Sequence, residues 1–407
     1  MNPNLNQLQP YPFQKLNKLL EDITPNRSYL PISLHIGEPK HAIPELIRNI
    51  LTVNLGAMAH YPTTLGSESL RASIATWLRQ RYRLPAIDPD TEVIPVNGSR
   101  EALFSIAQAV IDLSRPKAGV VCPNPFYQIY EGAAVLAGAT PHFLNTLPEN
   151  GFALDYTQLP GDVWSHTQMV YVCSPGNPTG RVMSMDEWQQ LFELSDRHGF
   201  IIASDECYAE IYFNEAAPPL GALEAAHHLG RNGFPRLVVF GSLSKRSNVP
   251  GMRSGFVAGN AAILKKFLLY RTYHGSAMNP AVQAASEAAW NDELHVIENR
   301  RLYRDKFTAV TQALKGILPV SMPDAAFYLW IRTPVSDVEF TRQLYRDYNV
   351  KVLPGSYLAR YAHGINPGEN FVRIALVAPL AECVEAAGRI TMLASGLHQQ
   401  YSSSTAV

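Results

Sequence analysis

Short apolar runs alternate along this chain with stretches in which apolar positions recur every three or four residues. The runs fall at 92–96 (EVIPV), 118–123 (AGVVCP), 169–173 (MVYVC), 200–205 (FIIASD), 236–242 (RLVVFGS) and 255–259 (GFVAG). Continuous apolar runs of five to seven residues suit strands buried on both faces, and the intervening segments at 99–113, 127–137 and 184–197 read as the covering helices. The order predicts an α/β fold with a mainly parallel sheet. Ser184, followed three residues later by Glu187, forms a capping box that fixes the start of one helix.

From about residue 290 the pattern changes. A long polar helix (ELHVIENRRLYRDKFTAVTQALK) leads into AAFYLWIR and FVRIALV, which predicts a smaller α+β domain. The first 40 or so residues, rich in Pro and Asn, read as an arm outside any core. The predicted division is therefore 1–45 as arm and part of the small domain, 46–288 as the large domain, and 289–407 as the C-terminal small domain.

Composition narrows the function without naming it. With 46% apolar residues the chain has enough to build packed cores, and a net charge of −1 gives no field that would recruit nucleic acid or an anionic membrane. No apolar run approaches the roughly 18 residues of a membrane span, and the N-terminus lacks the order of a secretion signal. The four cysteines contain no C-x-x-C pair. These features predict a soluble, reduced, cytoplasmic protein. No histidine pair has zinc-ligand spacing with a third ligand, and no G-x-G-x-x-G follows a strand, so neither a metal nor a nicotinamide site is expected.

The chemistry gathers where strands end. In VNGSREALF (96–104) a glycine turn opens a helix, so the amides of Ser99 and Arg100 suit an anion; a plain helix cap would look the same. Two prolines and two glycines stiffen SPGNPTG around Asn177, which could equally be an ordinary rigid loop. SDECY ends a buried strand on Asp205 with Tyr208 one turn on, a pattern shared with a carboxylate cap. In GSLSKRSNVPGMRSGF, Ser242 and Arg253 are a hydroxyl and a guanidinium fork suited to phosphate, and Lys245 lies between them. Partial burial and a nearby cation would lower its pKa and free the amine as a nucleophile. Together these groups ask for a ligand with a phosphate, a carbonyl that a lysine can condense with, a basic ring nitrogen for Asp205, and a ring oxygen for Asn177 and Tyr208. Pyridoxal 5'-phosphate has all four.

The segments SPGNPTG, SDECY and SLSK…PGMRSGF, with their spacings, resemble the fold-type I, class I aminotransferases over roughly Gly37 to Arg373. The resemblance implies a large domain with a mainly parallel mixed sheet flanked by helices and a smaller α+β domain. It implies Lys245 as the lysine that holds the cofactor and shuttles the substrate proton. Asp205 would pair with the ring nitrogen, and Asn177 and Tyr208 with the ring oxygen. Tyr127 would stack on the ring, and Arg373 would clamp the substrate α-carboxylate near Gly37 and Asn177. Tyr61 would reach the phosphate of a neighbouring subunit, hence a homodimer. Arg100 departs from relatives that carry a small hydroxyl residue there. The wording SKRSNVPGMRSGFVAGN, NGSREALF and PNPFYQIYEGA is similar to the N-succinyl-diaminopimelate aminotransferases. That likeness implies transfer from glutamate to N-succinyl-2-amino-6-oxopimelate, in the synthesis of lysine and peptidoglycan precursors. Another class I aminotransferase, a β-elimination lyase on the same fold, and a cofactor-binding regulator stay open as alternatives.

Overall fold

The computed structural model describes residues 1–404, with side chains to residue 399; positions 405–407 of the expected C-terminal domain lie outside the described residues. Twelve strands occur in order: β1 (Ile32–Ser33), β2 (Val93–Val96), β3 (Gly119–Asn124), β4 (Thr140–Asn145), β5 (Thr167–Cys173), β6 (Ile201–Asp205), β7 (Leu237–Ser242), β8 (Gly255–Gly259), β9 (Tyr328–Arg332), β10 (Val350–Lys351), β11 (Leu353–Pro354) and β12 (Phe371–Ala375). Seven form one sheet in the order β2-β8-β7-β6-β5-β3-β4. Its neighbours are parallel except where β8 meets β7 and β2.

Alternate residues of these strands enter opposite cores, as a pleat requires. Val170 and Val172 pack on one side with Trp188, Leu191 and Phe192 of the helix Met185–His198. Met169 and Tyr171 pack on the other with Leu103 and Ile106 of the helix Ser99–Val110. That double burial explains why the strands are written as continuous apolar runs. The Ser184–Glu187 capping box forms as expected. β4 was not legible as a strand: its sequence, TPHFLN, is largely polar with a proline. It lies at the sheet edge, where one face of the hydrogen-bond ladder is open and Pro141 costs no bond.

A second core joins Ile32 and Leu34 to Tyr303 and Phe307 of the long helix Leu294–Leu314, to β9 and β12, and to the C-terminal helix. The N-terminal stretch is therefore more than an arm. Pro12 starts a helix to Leu20, and its 3–4 spacing buries Leu16 and Leu20 against Leu353 and Leu358. β1 pairs with β10. A polar clasp holds the segment after β11 to the large sheet. Buried Asn124, at the end of β3, donates to the Arg360 carbonyl at 2.8 Å and accepts from the Arg360 amide at 2.9 Å. Arg360 forms a two-pronged ion pair with Glu131 at 2.8 and 2.6 Å. No helix of the described residues is long and apolar enough to cross a membrane.

Candidate active site

Parallel strands deliver their carboxyl ends to one edge of the sheet, where helix N-termini and loops can converge on a ligand. Cys173 of β5 is level with Asp205 of β6, and Asp205 with Phe240 of β7. The loops that follow these strands therefore open into one cleft. Because β8 runs the other way, its start lies at the same edge, and Arg253, just before it, joins the residues that follow the other strands.

One cavity of about 160 Å³ is lined by Lys245, Asp205, Asn177, Tyr208, Arg373 and Gly37, and also by Ser99, Arg100 and Tyr127. A neighbouring cavity of about 460 Å³ shares Lys245, Ser99 and Arg100 and adds Ser242, Ser244 and Arg253. Eleven of the twelve residues singled out from the sequence thus meet in one place. The twelfth, Tyr61, is fully exposed and lines neither cavity of its own chain.

Lys245 sits on the one-turn helix Leu243–Arg246, where its Nζ donates to the Gly37 carbonyl at 2.7 Å and faces the Phe327 ring. Its pKa is pushed down to about 8, first by burial and then by the charges of Arg373 and Arg100. The sequence pointed to Arg253 as the nearby cation; the fold instead brings in two arginines distant in sequence. Asp205 is buried at the mouth of β6. Its Oδ2 accepts from Tyr130 Oη at 2.6 Å and its Oδ1 from the Cys207 amide at 3.2 Å. Burial raises its pKa, and those hydrogen bonds oppose the rise.

Arg373 points inward from β12. Nη1 donates to Asn177 Oδ1 at 3.0 Å and Nη2 to the His35 carbonyl at 3.0 Å, with the guanidinium over the Tyr328 ring. Its Nε is buried with no hydrogen-bond partner among the described residues. Tyr208 Oη shares a hydrogen bond with Tyr328 Oη at 3.0 Å. Asn177 is displayed by a loop closed on itself by Gly176 N to Arg181 O (2.8 Å) and Gly180 N to Gly176 O (2.7 Å). At the other end, Ser242 Oγ accepts from the Ser244 amide at 3.1 Å, and Ser99 Oγ accepts from Cys207 Sγ at 2.9 Å. Gly98 has φ +84°, and a Cβ there would come within 2.3 Å of Arg253 Nη2. The close approach of this glycine to the guanidinium leaves a cradle lined by backbone amides and a cation.

The sequence reading missed Tyr130, Cys207, Ser244 and Tyr328. The first three had a signal: Tyr130 is three residues beyond Tyr127 at helical spacing, Cys207 is two beyond Asp205, and Ser244 adjoins Lys245. Tyr328 had none, since it meets Tyr208 across 120 residues.

The donor set fits pyridoxal 5'-phosphate. The Gly98–Arg253 cradle, with Ser242 and Ser99, suits a phosphate, while a buried carboxylate suits a ring N–H and a near-neutral amine suits an aldehyde. A family model described as aminotransferase class I and II matches residues 31–390. The chain is 30% identical over 400 residues to the LL-diaminopimelate aminotransferase of Aquifex aeolicus, covering 96% of this chain and 98% of the relative. It is 31% identical over 397 residues to that of Syntrophobacter fumaroxidans, covering 96% and 97%. These curated relatives carry the name of the unsuccinylated substrate, whereas the sequence motifs pointed to the succinylated one. Among solved structures it is similar to an aminotransferase from Neisseria meningitidis, with a TM-score of 0.94 and 51% identity over 97% of this chain and 100% of that one. One from Helicobacter pylori follows with 0.88 and 34%, over 95% and 98%.

Proposed function

We propose, for a chain that belongs to the class I and II aminotransferases, that it moves an amino group between glutamate and N-succinyl-2-amino-6-oxopimelate, forming N-succinyl-LL-2,6-diaminopimelate and 2-oxoglutarate. The observation that carries the amino-acid chemistry is the facing pair Lys245 and Arg373, an amine near neutrality beside an arginine fork.

Pyridoxal 5'-phosphate, the cofactor of this family, supplies an aldehyde that takes up the amino group and a ring that accepts electrons as the Cα–H bond breaks. In this reading Arg253, Ser242 and the amides of Ser99 and Arg100 hold its phosphate. Asp205 keeps a negative charge at the ring nitrogen, with Tyr130 and the Cys207 amide fixing that carboxylate in place. Asn177 and Tyr208 bond the ring oxygen, and Tyr127 covers one ring face. Arg373 binds the substrate α-carboxylate through both prongs of its fork, which orients Cα toward Lys245. Lys245 Nζ, unprotonated above about pH 8, takes the proton from that Cα. Glutamate and the keto acid use the site in turn, so the kinetics are ping-pong.

A dimer belongs to the same reading. Tyr61 is exposed together with Val53, Leu55 and Met58, and in a second copy it would reach the phosphate. The biosynthetic role places the enzyme in the cytoplasm.

LL-diaminopimelate itself is the second reading, favoured by the names of the curated relatives. The test is the visible spectrum of the holoenzyme, recorded after adding N-succinyl-LL-2,6-diaminopimelate, LL-diaminopimelate or glutamate in separate runs. Conversion to the amine form of the cofactor with glutamate and the succinylated compound supports the first reading. Conversion with glutamate and LL-diaminopimelate alone replaces it with the second.

A further inference from the structure

Four hydrogen bonds meet on one buried amide behind Lys245, and the proposed chemistry uses none of them. Asn299, on the long helix Leu294–Leu314, donates through Nδ2 to the Lys245 and Arg246 carbonyls, both at 3.2 Å. These carbonyls end the one-turn helix Leu243–Arg246, which offers them no partner of its own. Two carbonyl acceptors fix which end of the amide is nitrogen. Asn299 Oδ1 therefore accepts, from Asn248 Nδ2 at 3.0 Å and from His41 Nδ1 at 2.7 Å.

The same geometry fixes the imidazole. Nδ1 carries the hydrogen, so Nε2 carries a lone pair, and Lys306 Nζ donates to it at 2.7 Å. Burial lowers the His41 pKa, which keeps the ring neutral near pH 7. Lys306 is itself buried, two turns beyond Asn299 on the same helix face, and also donates to the Val377 carbonyl at 3.3 Å. Val377 follows β12, the strand that carries Arg373. The His41 ring lies 4.6 Å from that of buried Tyr303, which stands between Asn299 and Lys306 along the helix. Four residues before His41 is Gly37, whose carbonyl accepts from Lys245 Nζ. Segment 37–41 thus holds Lys245 at both ends, the amine directly and the main chain through His41 and Asn299.

We propose that His41 is a positioning residue, which ties segment 37–41 to Asn299 and so holds the Lys245 backbone and amine in place for proton transfer at the substrate Cα. The inference rests on the aminotransferase reading, in which Lys245 moves that proton. It adds to that reading a residue that lines neither cavity.

The test compares His41→Phe, which keeps a ring without its nitrogens, with His41→Asn, whose side-chain amide still donates toward Asn299. In holoenzyme the cofactor spectrum follows conversion by glutamate and by glutamate deuterated at Cα. A misplaced proton acceptor predicts that the rate at saturating glutamate falls about 10- to 100-fold in the Phe variant, with KM little changed. The slowed step should carry a primary isotope effect, and Asn should restore much of the rate. A loss confined to KM, a slowed step insensitive to deuterium, or equal losses in the two variants overturns the proposal. Independently of activity, hydrogen exchange in cofactor-free His41→Phe should quicken about 2- to 10-fold, the worth of a hydrogen bond, in peptides covering 35–42 and 242–248 alike. Quickening confined to 35–42 breaks the link to Lys245. Lys306→Met removes only the bond to Nε2 and should show both effects more weakly. If the Phe variant does not fold, Lys306→Met decides, and wild-type rate and exchange there overturn the proposal. If wild type does not convert glutamate, the aminotransferase reading falls, while hydrogen exchange still decides whether His41 holds Lys245.

Discussion

A lysine that must act as a base cannot stay fully protonated at working pH, and Lys245 shows how the fold arranges that. An exposed lysine releases its proton near pH 10.4, but burial and the charges of Arg373 and Arg100 bring this one to about 8. The sign of the effect on stability follows. Between about pH 8 and 10.5 the unfolded chain holds a proton that the folded one has released, so the cofactor-free fold gains stability as pH rises through that window. In cofactor-free protein, trace acetylation followed by peptide mass spectrometry should show Lys245 reactivity rising with a midpoint near pH 8. Arg373→Gln should move that midpoint upward by removing a cation. A wild-type midpoint above 10 would mean that Lys245 is solvated like any surface lysine.

At the scale of elements, the turn between β2 and the helix Ser99–Val110 does what a longer loop could not. Gly98 adopts a positive φ with extended ψ and leaves room for the Arg253 fork directly against the backbone. A methyl group there meets both obstacles at once, since φ is positive and Arg253 Nη2 would be 2.3 Å away. Gly98→Ala should cost about 1–3 kcal/mol of stability from backbone strain. It should also weaken cofactor binding by displacing Arg253. Thermal unfolding and a cofactor titration would check both, and an unchanged affinity would remove Arg253 from the phosphate site.

Much of this level was legible in the sequence, because doubly buried strands leave continuous apolar runs and strand ends leave turn residues. The run at 200–205 and the observed Ile201–Asp205 place Asp205 at the same strand end. β4 escaped because an edge strand need not be apolar. The helix Pro12–Leu20 escaped because Pro and Asn masked its 3–4 spacing. Contacts such as Tyr208 with Tyr328 leave no local trace, and so the sequence misassigned the cation that tunes Lys245.

For the whole molecule, the missing piece is Tyr61, the proposed site residue that the chain does not bring to its own cleft. If two copies complete each other, sedimentation should give about twice the 45.1 kDa of one chain. Tyr61→Ala should weaken cofactor affinity about tenfold, the worth of a hydrogen bond to a charged group, while leaving thermal unfolding of the cofactor-free protein unchanged. A monomer in solution, or an unaltered affinity, would count against the shared site.

The contacts that build the cleft span nearly the full chain. Lys245 meets the Gly37 carbonyl across 208 residues, and Arg373 meets the His35 carbonyl across 338. A ribosome adds about 5–20 residues per second, so at that rate Arg373 is added roughly 20 to 75 s after synthesis starts. Until then the nascent chain lacks its substrate clamp, although every residue of the cleft assigned to the cofactor, from Ser99 to Arg253, has already been made. Vitamin-derived cofactor in the cell therefore meets its contacts on a growing chain before the substrate can.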